Sequence, residues 1–284
     1  MVTIDDFNND YENKWCPGCG NFGILDAMKN AFVSMGKSPS DVVLISGIGQ
    51  AAKTPHFMQC NMFHTLHGRA LPIATGAKLS NHDLTIVVNS GDGDCYGEGG
   101  NHFISAIRRN IDITLLVHDN KIYGLTKGQA SPTTDPGTVT PVQRHGVISE
   151  SFNPLGVALT LGAGFVARGF SSNREHLSQL IQDAISHKGF SLIDILQPCI
   201  TYNKVNTHGW FKKRAYDLKE TDYVPDNVDQ AMALTREWEE KIPIGILYQK
   251  ERPSMTEKIK VLESGPLVYQ ERPVEKLQSL LDSI

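Results

Sequence analysis

Apolar residues in this chain come in short unbroken runs of strand length, and each run stops on glycine or on a polar turn. Leu84-Thr85-Ile86-Val87-Val88-Asn89-Ser90 leads straight into Gly91-Asp92-Gly93-Asp94, and Ile111-Asp112-Ile113-Thr114-Leu115-Leu116-Val117-His118 delivers Asp119-Asn120. Residues 41–46 end at Gly47-Ile48-Gly49, and residues 191–196 form a fourth run of the same kind. Continuous apolarity, rather than alternation, is the mark of a strand buried on both faces of a parallel sheet. Between these runs the spacing becomes helical. Phe22, Ile24, Leu25, Met28, Ala31 and Phe32 predict a helix over 21–35, and a second fits 69–80. Phe103, Ile104 and Ile107, closed by Arg108-Arg109, predict a third over 97–110. Ser172-Asn173-Arg174-Glu175 has capping-box spacing ahead of a helix reaching about 187. Strands alternating with helices predict right-handed crossovers and an α/β doubly wound parallel sheet, with ligand outside the strands' carboxyl ends.

Past residue 200 the pattern weakens into Val224-Pro225-Asp226, Ile242-Pro243-Ile244 and Glu251-Arg252-Pro253, with one helix near 228–241. Residues 1–205 therefore read as the folded domain, and 206–284 as an extended C-terminal arm suited to contact between subunits. The net charge of −4, with no basic run, speaks against nucleic acid as a partner. Lys212-Lys213-Arg214 reads as a solvated face. No apolar run is long enough for a bilayer, so no membrane partner is expected. Met1-Val2-Thr3-Ile4-Asp5-Asp6 is acidic without an apolar stretch, which points to the cytoplasm.

The chemistry begins at Asp92. The strand places it at a carboxyl end, and Gly91 and Gly93 let the backbone turn sharply and approach a ligand. A helix amino end facing the same crevice favours phosphate. The next strand brings Asn120 alongside. Mg²⁺ prefers octahedral oxygen ligation with one or two carboxylates plus carbonyls and phosphates. Asp92, the Asn120 side-chain oxygen and a backbone carbonyl at Ile122 could supply three such ligands.

A Gly-Asp-Gly followed one crossover later by Asn resembles the pyrophosphate domain of thiamine diphosphate enzymes. Three segments narrow the likeness: Trp15-Cys16-Pro17-Gly18-Cys19-Gly20, Phe63-His64-Thr65-Leu66-His67-Gly68-Arg69-Ala70, and Tyr123-Gly124-Leu125-Thr126-Lys127-Gly128-Gln129-Ala130-Ser131-Pro132-Thr133. Together they resemble the beta subunit of 2-oxoacid:ferredoxin oxidoreductases over roughly residues 10–215. Thr126-Lys127-Gly128-Gln129 is closest to the 2-oxoglutarate branch. The resemblance implies three cofactors: thiamine diphosphate, Mg²⁺ and a 4Fe-4S cluster. It implies cofactor contacts from Gly47, Ile48, Gly49, His67, Gly91, Asp92, Gly93, Asp94, Asn120, Ile122, Gly124, Leu125 and Thr126. Residues 1–205 then form the pyrophosphate domain with its iron–sulfur segment. It further implies coenzyme A and a 2-oxoacid as substrates, ferredoxin as electron acceptor, and an alpha subunit that bears the pyrimidine domain absent from this chain. The assembly expected is a heterodimer or a dimer of heterodimers, with room for small extra subunits.

Cys16-Pro17-Gly18-Cys19 puts two thiols on a tight turn, suited to an iron–sulfur cluster or zinc. Cys199 follows a strand end and matches the family's last cluster ligand. The family's usual third ligand would follow Gly47-Ile48-Gly49, where this chain has Gln50. Cys60, ten residues on, is expected to replace it. Cys95 as ligand, or a three-cysteine site with an open iron, are the competing assignments. His67 and His64 are candidates to reach the diphosphate or the reacting carboxylate, and Lys53 a substrate's distal carboxylate. Two other classes share parts of this pattern: a non-redox thiamine decarboxylase or synthase half, and a zinc-stabilised binding module without catalysis.

Overall fold

The computed structural model describes residues 1–271 and 274–283. Eight strands form one sheet: β1 (Val42–Ser46), β2 (Asn61–His64), β3 (Thr85–Gly91), β4 (Thr114–Asp119), β5 (Phe165–Phe170), β6 (Ser191–Leu196), β7 (Ala215–Asp217) and β8 (Ile242–Gln249). Their order is β2-β1-β3-β4-β6-β5-β8-β7, and every pairing is parallel except β5 with β8. β1, β4, β5 and β6 are buried along their whole length. The unbroken apolar runs of β1, β4 and β6 follow from that burial.

Alternate residues of each strand serve opposite faces. Val43, Ile45, Ile86, Val88, Leu115 and Val117 point to one core, and Val42, Leu44, Val87 and Leu116 to the other. α1 (Asn21–Ser34) covers the second face with α5 (Arg174–Ser186), whereas α2 (Ala70–Ser80), α3 (Gly100–Arg109) and α4 (Pro154–Thr160) cover the first. Each fully buried aliphatic side chain contributes about 1.5–3 kcal/mol, so neither face can be left bare. The chain leaves β1 to pair β2 on one side and β3 on the other. That switch point opens a crevice at the carboxyl ends, where ligands bind in such sheets.

Several details differ from the sequence pattern. α3 begins at Gly100, later than expected, because Gly93–Glu98 first forms a π-helical turn. Asn173 caps α5, its side chain accepting from the His176 N–H, while the Ser172 hydroxyl pairs with His208 Nδ1 at 2.7 Å. α6 (His208–Lys212) is short, and α7 (Val228–Thr235) ends before 241. β8 lies inside the stretch read as an arm, yet it is a full strand of the main sheet. Pro243 and Gly245, the latter at φ 122°, hide its pattern, and the ladder slips at Val166/Ala167. β5 was hidden too, because buried Arg168 interrupts its apolar run. The last helix, α8 (Val274–Leu281), buries no residue. Among the described residues no helix is long and apolar enough to cross a membrane.

Candidate active site

Three loops at the carboxyl ends of β1, β3 and β4 enclose one cavity. Its wall includes Ile48, Gly49 and Gln50 from the first loop, Gly91 to Asp94 from the second, and Asn120 and Ile122 to Thr126 from the third, with His67 at the side. Asp92, Asn120 and Ile122, expected to hold a cation, therefore share a wall. Gly47 lies just behind it. A Cβ there would stand 1.9 Å from Asp94 Oδ2, so only glycine allows the loop to close over that carboxylate. A Cβ at Gly93 would strike the Tyr123 ring at 2.3 Å.

The two acidic residues of the turn do different work. Asp94 is 2 % exposed and accepts from the Ile48 N–H at 3.0 Å, the Gly68 N–H at 2.8 Å and the Ser90 hydroxyl. His67 Nδ1 lies 2.6 Å from it. The carboxylate thus clamps the loops after β1, β2 and β3, and its capacity is spent within the protein. Asp92 is equally buried but far less satisfied. Thr133 Oγ1 sits 2.7 Å from Asp92 Oδ2 and 2.7 Å from Asp119 Oδ1. One hydroxyl proton cannot serve both carboxylates at once. Burial, and then the Asp119 carboxylate beside it, push Asp92 up to about 7. A cation would offset both effects.

The third loop is shaped by short-range turns. The Asn120 side-chain oxygen accepts from the Ile122 N–H at 3.0 Å, and its backbone carbonyl accepts from Asn203 Nδ2 at 3.1 Å. Lys121 is left-handed at φ 60° and anchored by Asp135 at 2.9 Å. The Thr126 hydroxyl donates to Gln129 Oε1, and Leu125 is partly exposed at the rim.

A second cavity adjoins the first. Cys16, Cys19 and Cys199 line it together with Trp15, Gln50, Asn120, Gly124 and Gln197. Gln50, Asn120 and Gly124 are walls of both cavities. The Cys16 turn is closed by a Cys19 N–H to Cys16 carbonyl bond of 2.9 Å, and Gly18 takes φ 84°. The Thr201 hydroxyl lies 3.2 Å from Cys16 Sγ, and Gln197 Nε2 3.5 Å from Cys19 Sγ. Burial pushes the Cys19 thiol up to about 11, helped by Cys199 and Cys16 nearby. Three thiols on one wall suit an iron–sulfur cluster as a donor set. Among the described residues, no three His, Cys, Asp or Glu side chains gather closely enough to hold a single ion.

Cys60 does not join them, which corrects the expectation that it completes the set. β2 runs parallel to β1 with Asn61 opposite Val43, so Cys60 lies at the amino end of the sheet. Its thiol packs against the core formed with α1 instead. Cys95 is buried in the π-helical turn as part of the other core. Of the remaining candidates, only His67 lines a cavity wall. His64 sits on the exposed edge strand with Nδ1 3.1 Å from Ser46 Oγ, and its ring is 5.5 Å from that of His56. Lys53, on the 3-10 turn Ala51–Phe57, lines neither cavity.

The family of thiamine pyrophosphate enzymes, C-terminal TPP binding domain, matches residues 44–195, which span β1 to β6. The C-terminal family of pyruvate ferredoxin oxidoreductase beta subunits matches 199–264. A 2-oxoacid:ferredoxin oxidoreductase subunit beta from Sulfolobus sp is 47% identical over 90% of this chain and 88% of the relative. The chain belongs to the beta subunits of 2-oxoacid:ferredoxin oxidoreductases. The 2-oxoglutarate oxidoreductase subunit KorB of Mycobacterium tuberculosis is 44% identical to this beta subunit over 70% of its length and 53% of the relative. A solved structure, 2-oxoglutarate:ferredoxin oxidoreductase from Magnetococcus marinus with 2-oxoglutarate, coenzyme A and succinyl-CoA bound, superposes with a TM-score of 0.91 at 35% identity. It covers 98% of this beta subunit and 96% of its own chain.

Some site residues escape sequence reasoning. Thr133 bridges Asp92 and Asp119 from a loop thirteen residues beyond Asn120, and nothing in its local pattern announces that. Trp15 donates its indole N–H to the Gln50 carbonyl at 2.9 Å, joining two segments far apart in sequence. A tryptophan beside the Cys16 turn was the visible signal, without a partner to attach it to.

Proposed function

We propose that this beta subunit, with an alpha subunit that bears the pyrimidine domain, oxidises 2-oxoglutarate to CO2 and an acyl-coenzyme A, passing electrons through a 4Fe-4S cluster to ferredoxin. The adjoining cavities carry the reading. An oxygen-lined site and a thiol-lined site share Gln50, Asn120 and Gly124, so a cofactor in one would lie against a redox centre in the other. The full-length likeness to a 2-oxoglutarate enzyme supports that substrate over other 2-oxoacids.

Asp92, Asn120 and the Ile122 carbonyl would hold Mg²⁺, with Gly91 and Gly93 giving the diphosphate close access to backbone. Thiamine diphosphate, when bound, supplies a nucleophilic carbon and an electron sink for decarboxylation. His67 stands at the wall with Nδ1 on Asp94, which fixes its ring and leaves Nε2 facing Glu98 at 3.6 Å. Cys16, Cys19 and Cys199 would hold the cluster. The cytoplasm, where thiols stay reduced, suits such a site.

The test is anaerobic turnover by the purified complex of both subunits. Coenzyme A-dependent reduction of ferredoxin with 2-oxoglutarate, and none by this chain alone, is the expected result. Turnover of pyruvate alone would reassign the substrate. Zinc in place of iron and sulfide would overturn the redox reading altogether.

A further inference from the structure

The cysteine cavity has three thiols and one conspicuous substitute. Gln50, in the loop after β1, lines the same cavity as Cys16, Cys19 and Cys199. Two contacts fix its place. The Trp15 indole holds its carbonyl at 2.9 Å, tying Gln50 to the residue next to Cys16. Its Cγ runs past Gly124, where a Cβ would meet it at 3.9 Å. The other two cysteines are out of play: Cys60 lies at the amino end of the sheet, and Cys95 is 3 % exposed within the core.

Resting on the cluster reading above, we infer that the cluster is held by only three thiolates and that its fourth iron faces the neutral Gln50 amide. An amide oxygen is a harder and weaker iron ligand than a thiolate, and it brings no charge. That iron is therefore the labile one. A bound cluster of this kind would, on losing one electron to an oxidant, release that iron as Fe²⁺ and keep three irons and four sulfides on Cys16, Cys19 and Cys199. With one thiolate fewer, the cluster also carries less negative charge and accepts an electron more readily than a four-thiolate cluster would. Gln50 shares its wall with Asn120 and Gly124, so this corner is the one turned towards the cavity around Asp92.

The experiment compares wild-type and Gln50→Cys complexes with the alpha subunit, both purified anaerobically. Iron, acid-labile sulfide and EPR spectra are recorded before and after one equivalent of ferricyanide. The wild type is expected to lose about one iron in four while keeping its sulfide, to gain the EPR signal of a three-iron cluster, and to recover with Fe²⁺ and reductant. Gln50→Cys should keep its iron and show a lower midpoint potential. A wild-type complex that retains all its iron through oxidation, or a Cys60→Ser complex that loses iron, would overturn the inference. If Gln50→Cys does not assemble, the wild-type iron loss and its reversal by Fe²⁺ decide alone. Absence of iron and sulfide from both complexes would instead mark failure of the cluster reading itself.

Discussion

The cavity around Asp92 and the cavity around the cysteines share a wall but are built at different ranges along the chain. The first is made by consecutive loops of one crossover, Gly91 to Asp94 after β3 and Asn120 to Thr126 after β4, so its parts keep a fixed spacing in sequence. The second is assembled from Cys16 and Cys19 before α1, Gln50 after β1 and Cys199 after β6. Its members are brought together only by the sheet order. A site of the first kind declares itself in a short motif. One of the second kind depends on register, and a nearby residue of the right type can mislead.

Five substitutions, one of them read through a pH titration, probe that difference, beginning with the largest effect. Asp92→Ala should abolish Mg²⁺-dependent binding of thiamine diphosphate, read by calorimetry, while leaving the folded chain at least as stable. Asp92 is a buried carboxylate beside Asp119, and its removal relieves repulsion. Unfolding of this variant would make Asp92 a structural residue instead. Cys199→Ser should strip most iron from the complex by metal analysis; unchanged iron would break the assignment of the cysteine cavity. Gly47→Ala should destabilise the chain by about 1–3 kcal/mol through overpacking against Asp94. It should also weaken cofactor binding by roughly tenfold or more.

A buried acid outside both cavities gives the pH test. Burial, then Asp119, push Asp194 up to about 8, from an ordinary value of 3.8. Between those values the folded chain keeps a proton that the unfolded chain releases. Stability therefore falls as pH rises through this window and levels off above it, by on the order of a few kcal/mol. Asp194→Asn should flatten the decline in denaturant midpoints, and an unchanged slope would reject the cause. The smallest effect is expected from Cys60→Ser, which should leave iron content unaltered and cost about 1 kcal/mol of packing.

Much of the frame was legible. The buried strands β1, β3, β4 and β6 were unbroken apolar runs because helices cover both faces of the sheet. That Asp92, Asn120 and Ile122 line one cavity was readable because one crossover sets their distance. β5 and β8 were not: Arg168 is buried in the first, where it donates to backbone carbonyls, and Pro243 and Gly245 interrupt the second. Cys60 was misplaced because ten residues after Gln50 says nothing about which end of β2 it occupies. Thr133 was missed because its partners are carboxylates from two different strands.

The Asp94 clamp has a consequence for motion. Because one buried carboxylate binds Ile48, Gly68, Ser90 and His67, none of the segments after β1, β2 and β3 can open without breaking a hydrogen bond to the group that holds the other two. They should unfold locally as a single cooperative unit, with the Ile48 and Gly68 amides exchanging hydrogen at a common rate. A ligand that orders any one of these loops would then slow exchange in all three.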